Sequence, residues 1–189
     1  MSDARAMRTL PMNVLVRRVR ADDWQRVRAL RLEALRDPMA PIAFLETVED
    51  VAARPDEYWR ARVAARSESD DSAQFLAERD GEMVGSVAVF LREAGIPDYF
   101  ERVPEIDLPT VVGVYVTPSV RGLGVIDVLL GAAAEWARAR GDRELTLDVH
   151  ESNLPAIRAY ERAGFEVRSD FEGESGRELG MVKALAVET

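Results

Sequence analysis

The strand–loop–helix pattern over residues 111–140 constrains the fold of this chain more than any other segment. Residues 111–117 form a Val-rich run of the kind buried within a sheet. Pro118 closes that run, and Arg121-Gly122-Leu123-Gly124 leads into a helical pattern that stops at Gly141. A glycine-bearing loop that opens a helix presents free backbone N–H groups to an anion. The loop is not a nucleotide P-loop, because no Gly-Lys-Ser/Thr follows, and it lacks a convincing dinucleotide fingerprint. Taken alone, Gly122-x-Gly124 reads equally well as a turn that simply needs glycine.

The segments around it alternate between strand and helix patterns. Residues 14–19 read as a strand, and acidic caps at Asp22 and Asp23 open a helix over 24–35. A second helical stretch is expected over 43–53 and a third from Pro55, carrying Trp59 and Val63. Asp80-Gly81 between two apolar runs predicts a hairpin of residues 74–78 and 83–90. Residues 91–109 form a long connection rich in proline and acids, a type of loop that is often functional. A strand over 144–150, a helix capped by Asn153 and ending at Gly164, and closing strands at 165–169 and 179–185 complete the pattern. No repeat or low-complexity linker divides it. The reading is therefore a loose tail over 1–12 and a single α/β domain over 13–189, a mixed sheet with helices on its faces.

Composition removes most catalytic equipment. There are 189 residues, no cysteine and one histidine, which excludes disulfides, thiolate nucleophiles and clustered His or Cys metal sites. A net charge of −9 argues against a nucleic-acid partner. No run approaches the roughly 18 apolar residues of a membrane span, and the first dozen residues lack a signal-peptide core, so a cytoplasmic protein is expected. What remains is carboxylates, tyrosines, hydroxyls, arginines, Lys183, His150 and the backbone.

Two blocks together resemble the GNAT superfamily of acetyl-CoA-dependent N-acetyltransferases. Val114-Tyr115-Val116-Thr117-Pro118 followed by Arg121-Gly122-Leu123-Gly124-Val125 is similar to the family's Arg/Gln-x-x-Gly-x-Gly/Ala signature after a Val-rich strand. Asn153-Leu154-Pro155-Ala156-Ile157-Arg158-Ala159-Tyr160-Glu161-Arg162-Ala163-Gly164-Phe165 resembles its Asn-x-x-Ala-x-x-x-Tyr-Glu-x-x-Gly-Phe helix. The resemblance implies a mixed α+β fold: a mostly antiparallel sheet of roughly six to seven strands flanked by helices and splayed at its two central strands. The splay is expected between residues 114–116 and 145–149. It implies acetyl-CoA as co-substrate, no metal, direct attack by a primary amine in a ternary complex, and a homodimer as a common assembly. The amine is either a small molecule or a peptide or protein N-terminus. One departure stands out. Ile126 occupies a position where Gly or Ala is usual, and Asp127 follows it, which favours an alternative reading as a non-catalytic domain that binds CoA or a protein partner.

The same resemblance implies roles for residues. Backbone groups of Val114, Tyr115 and Val116 would hold the pantetheine arm and the thioester. Backbone N–H groups of Gly122, Leu123, Gly124, Val125 and Ile126 would hold the pyrophosphate, with Arg121 at the loop entrance. Tyr160 is the candidate general acid to the leaving thiolate, with a packed, structural tyrosine as the plainer reading. Asn153 is read both as a helix cap and as a contact to the cofactor arm. Arg162 is a candidate phosphate contact, one turn from Arg158, with solvated surface charge as the alternative for both.

A base must still accept the amine proton. Alternation over 144–150 sets Thr146, Asp148 and His150 on one face. Asp148 precedes Tyr160 by the spacing of the Glu–Tyr pair in ribosomal-protein alanine acetyltransferases. Asp148 is the expected base, directly or through water, and His150 is its rival. The plainer alternatives are a hydrogen-bonded structural Asp and a rim His. The acceptor side is expected from residues 40–59 and 91–109. There Glu46, Glu49, Asp98, Glu101, Glu105 and Asp107 are interleaved with Tyr99 and Phe100, an acidic rim suited to a cationic amine or simply solvated loop charge.

Overall fold

The computed structural model describes residues 14–186. The expected tail over 1–12 lies outside them. Seven strands form one sheet: β1 (Val14–Arg18), β2 (Ser72–Arg79), β3 (Glu82–Arg92), β4 (Leu108–Val116), β5 (Glu144–His150), β6 (Glu166–Gly173) and β7 (Gly176–Ala184). Their order is β1-β2-β3-β4-β5-β7-β6. Every pairing is antiparallel except β4–β5, which is parallel. Six helices flank the sheet: α1 (Trp24–Ala34), α2 (Ala40–Ala43), α3 (Val48–Ala53), α4 (Asp56–Glu68), α5 (Val125–Arg140) and α6 (Leu154–Arg162).

Two apolar clusters hold the layers together. On one face, Leu129, Leu130, Ala133 and Ala137 of α5 pack on Val87, Val89, Leu145 and Leu147 of the sheet. On the other, Trp59 and Val63 of α4 pack with Val27 of α1, Val51 of α3 and Leu76 of β2. Burying a side chain of this kind is worth about 1.5–3 kcal/mol.

The sheet is opened at its centre. β4 and β5 pair only at Thr110↔Thr146 and Val111↔Leu147, and then diverge. On the other edge of β4, Val112 pairs with Ala88 and Tyr115 with Ser86, so Gly113 and Val114 together face the single residue Val87. That is a β-bulge, and Gly113 at φ 60° adopts the left-handed backbone the extra residue needs. Residues 114–116 thus bend away from β5, and the predicted splay is present.

Three sequence expectations are corrected. The helix expected over 43–53 is two pieces, because Thr47 starts α3 afresh: its hydroxyl accepts from Asp50 N at 3.1 Å while Asp50 accepts from Thr47 N at 3.0 Å. The closing strands form a longer hairpin, Glu166–Gly173 with Gly176–Ala184. β6 is an edge strand with most residues exposed, so it lacks the apolar alternation that marks a buried one. The long connection is shorter than expected, because β3 runs to Arg92 and β4 begins at Leu108. Pro109 is tolerated in β4 because β5 joins only at Thr110.

Candidate active site

The gap between β4 and β5 widens into a cavity of about 1280 Å³. Every residue given a cofactor or catalytic role in the sequence lines it, from Val114 on β4 to Arg162 on α6. Arg158, one turn from Arg162, does not.

One end of the cavity is backbone. Gly122 and Gly124 lie at φ 77° and 81°, a left-handed pair that turns the chain into α5. A Cβ at Gly122 would meet nothing within 4 Å, so its φ, and not crowding, requires glycine there. Asp127 N and Val128 N bond to Gly124 O at 3.1 and 3.3 Å. The amides before them, at Val125 and Ile126, precede the helix ladder and are free to donate to an anion. Ile126 itself is half-buried against the α5 core, whereas Asp127 is exposed in the first turn. Arg121 lines the cavity with its guanidinium already bonded. Its Nε donates to Val116 O at 3.0 Å and its Nη2 is ion-paired with Asp37.

The middle is the slot. Tyr115 sends its side chain out of it, donating its hydroxyl to Glu33 Oε1 on α1 at 3.0 Å. Burial first, and then that bond to Glu33, push the phenol up to about 12. Asn153 caps α6, with its Oδ1 accepting from Ala156 N at 3.4 Å, and is buried in the cavity wall. Tyr160 is 7% exposed, and burial pushes its phenol well above the ordinary tyrosine range. A hydroxyl in that state keeps its proton at neutral pH. Arg162 spends its Nη1 on Arg158 O at 3.0 Å.

The face of β5 nominated for a base is already engaged. Both oxygens of Asp148 are taken by Arg102, at 3.1 and 2.5 Å. Arg102 also donates through Nε to Asp98 Oδ2 at 2.9 Å and lies 3.8 Å from the centre of the Phe171 ring. Asp98 in turn accepts from the amides of Phe100 and Arg102 at 2.8 and 2.9 Å. The connection between β3 and β4 is thereby folded on itself and clamped to β5. Asp148 is an anchor for that clamp. His150 is also committed: its Nδ1 accepts from Ser152 N at 3.1 Å, so Nε2 carries the hydrogen and donates to Ser175 O at 3.0 Å. Both Asp148 oxygens and both His150 ring nitrogens are thus engaged in bonds within the chain, so neither side chain is an unencumbered base in this structure.

The sequence reading missed Glu178. It is the cross-strand partner of His150 on β7, lines the cavity, and forms no ion pair among the described residues. Burial raises its carboxyl above the ordinary glutamate value. Its signal was weak, because β7 was placed one residue too late to include it. The acidic acceptor rim is also changed. Glu46 is paired with Arg31 and Arg54, and Asp98 with Arg92 and Arg102, so these carboxylates are compensated. The remaining acceptor wall is apolar and aromatic: Ile42, Phe44, Leu45, Tyr99 and Phe100.

The profile of the Acetyltransferase (GNAT) family matches residues 29–165. The chain belongs to the GNAT acetyltransferase family. It is 35% identical over 119 residues to mycothiol acetyltransferase of Thermomonospora curvata, covering 63% of this chain and 33% of that one. To streptothricin acetyltransferase of Streptomyces lavendulae it is 37% identical over 102 residues, covering 53% and 48%. The chain thus spans about a third to a half of the length of these curated relatives. Among solved structures, a GNAT-family acetyltransferase from Streptococcus pneumoniae superposes with TM-score 0.74 at 20% identity, covering 92% of this chain and 100% of that one. PaiA N-acetyltransferase of Thermoplasma acidophilum, solved in complex with coenzyme A, gives 0.71 at 20%, covering 92% and 99%. At these identities the two structures speak to the fold.

Proposed function

We propose that this chain is an acetyl-CoA-dependent N-acetyltransferase that acetylates a primary amine by direct attack in a ternary complex. One observation carries the reading. The glycine-loop residues, the splayed β4 residues 114–116 and Tyr160 all line a single cavity. That shared lining suits a ligand that carries both an anion and a reactive group.

Bound acetyl-CoA supplies an acetyl thioester. The amides of residues 122–126 hold its pyrophosphate, as a helix N-terminus holds any phosphate. The backbone of Val114, Tyr115 and Val116, released from β5, is free to bond the pantetheine arm. The amides at the Gly113–Val114 bulge are donors for the thioester oxygen as negative charge builds on it. Asn153 would border the arm, and Arg162 would contact a phosphate; both line the cavity. Arg121 shapes the loop through Val116 and Asp37 and is not assigned a phosphate contact. Tyr160 retains its proton until the departing sulfur takes it. Glu178 accepts the amine proton, directly or through one water, in place of Asp148 or His150. Asp148 holds Arg102 and the loop that roofs the acceptor.

The relatives named for mycothiol, streptothricin and aminoglycosides favour a small-molecule amine over a protein N-terminus. The test is thiol release from acetyl-CoA by the full chain with a panel of amines, with the acetylated product read by mass. The expected result is release that depends on the amine. Cofactor binding without amine-dependent release would instead support the non-catalytic reading that Ile126 and Asp127 favour.

A further inference from the structure

A second, smaller cavity of about 110 Å³ lies between the inner faces of α1 and α4 and the sheet. It shares Arg31, Val112, Gly113 and Tyr115 with the main cavity, so it adjoins the slot just where β4 bulges. Its charged lining is entirely cationic among the described residues, beside the neutral polar groups of Trp59, Gln74, Ser86 and Tyr115. Arg31, Arg62 and Arg66 all border it. No carboxylate lines it among the described residues.

Two of these guanidiniums, Arg62 and Arg66, lack a counter-charge among the described residues, whereas Arg31 is paired with Glu46. Arg31 donates to Glu46 Oε2 through Nε at 3.1 Å and Nη2 at 2.6 Å, and Arg54 takes the other oxygen of the same carboxylate. Among the described residues, Arg62 bonds only to the Tyr58 hydroxyl, and the guanidinium of Arg66 bonds only to Gln74 Oε1, at 3.3 Å. Neither forms an ion pair among the described residues. Burial, and then the charge of Arg62, push Arg66 down to about 10, as expected for a cation lacking a counter-charge. Trp59 supplies an independent observation. It lines the same cavity at 2% exposure, and its indole N–H has no acceptor. An orphaned buried donor beside unpaired guanidiniums calls for an acceptor bearing negative charge. A water takes roughly 30 Å³ of liquid volume, so the space suits a carboxylate and not a whole ligand.

We propose that this cavity is an anion subsite, and that the acceptor is an amine carrying a carboxylate, which Arg66 and Arg62 bind while the amine reaches the slot. The apolar wall of Ile42, Phe44 and Leu45 suits an apolar substituent on the same molecule. This assignment rests on the acetyltransferase reading for the amine, but not for the anion.

The test compares acceptors that differ only in the anion: L-phenylalanine against L-phenylalaninamide, and L-methionine against L-methioninamide. Losing the carboxylate makes an α-amine easier to deprotonate, so without the subsite the amide is the better acceptor. With it, the acid is preferred at least tenfold in kcat/KM. Arg66→Gln brings that ratio toward one, whereas Arg60→Gln, on the exposed side of the same helix, preserves it. An acid-to-amide ratio at or below one in the wild type overturns the proposal, as does an Arg66→Gln variant that slows both acceptors equally. A parallel measurement separates the two readings. Sodium sulfate is compared with sodium chloride at matched ionic strength for its effect on the melting temperature of wild type and Arg66→Gln. If no amine is turned over, a sulfate-specific rise confined to the wild type keeps the anion subsite and discards the acetyl transfer. Equal shifts in the two proteins discard the subsite.

Discussion

The two ends of the proposed active-site cleft are made of different material. The cofactor end is backbone: the loop amides before α5, the bulge in β4 and the strand released from β5. The acceptor end is side chains drawn from distant segments, with Arg31 from α1, Glu46 from the stretch before α3, Arg66 from α4 and Arg102 from the β3–β4 connection. Backbone donors depend on φ and on small residues, so they tolerate change everywhere except at the glycines. Side-chain networks depend on each partner. The comparison teaches that a single substitution harms the first end through geometry and the second through charge.

The largest expected loss of cofactor affinity comes from attacking the geometry. Gly124→Val forces a β-branched residue to φ 81°, a strain of about 1–3 kcal/mol, and displaces the loop amides. Acetyl-CoA affinity should fall by at least tenfold in calorimetry, with a far smaller change in acceptor KM. An unchanged affinity would break the distinction between the two ends. The largest expected loss of turnover is at Tyr160: Tyr160→Phe should lower kcat by about a hundredfold, the scale of losing a general acid, while the KM for acetyl-CoA holds within about threefold. A loss confined to KM would make Tyr160 a packing residue.

Glu178→Gln sharpens the charge side. Because the Glu178 carboxyl is raised, its basic form appears only as pH climbs through that raised value, and wild-type kcat/KM should show a matching acidic limb. The variant should lose that limb along with its activity. The stability effect runs the other way. A raised carboxyl favours the folded state at low pH and loses that contribution as pH rises through the folded value. Glu178→Gln should therefore melt slightly higher than wild type at pH 7, and the gain should vanish in acid. The smallest effect is structural. Burial pushes the Glu46 carboxyl up, but its bonds and charge interactions with Arg31 and Arg54 outweigh burial and leave it lowered. Its contribution is present above the unfolded value and lost as pH falls through the folded one. Glu46→Gln should cost about 1–2 kcal/mol at pH 7 after allowing for solvent screening, roughly 3–7 °C in melting temperature. The deficit should shrink on acidification.

The same division explains what could be read from the sequence. Val114–Val116, Gly122, Gly124 and the Asn153–Phe165 helix lie in two contiguous blocks, so the motifs that carry the family resemblance could be read from the sequence, and the splay that the resemblance implies is present. Gly113 carried a usable signal, a glycine inside a Val-rich strand, which is a common mark of a bulge. The Arg102–Asp148 clamp, separated by 46 residues, left none, because a salt bridge closes only when the fold brings its ends together. Asp148 and His150 were placed on the correct face, but alternation cannot say which groups are already bonded. Glu178 was hidden because β6 is exposed and gives the last hairpin little apolar periodicity. The acidic rim misled for a related reason: a count of carboxylates does not reveal which arginines fold back onto them.

The central claim is that the β4–β5 slot and the loop amides hold acetyl-CoA. Calorimetric titration of the full-length chain with acetyl-CoA tests it most directly, with Gly124→Val in parallel. The account predicts saturable one-to-one binding by the wild type, weakened at least tenfold in the variant. An absence of binding up to millimolar acetyl-CoA, or equal affinity in the two proteins, would contradict it.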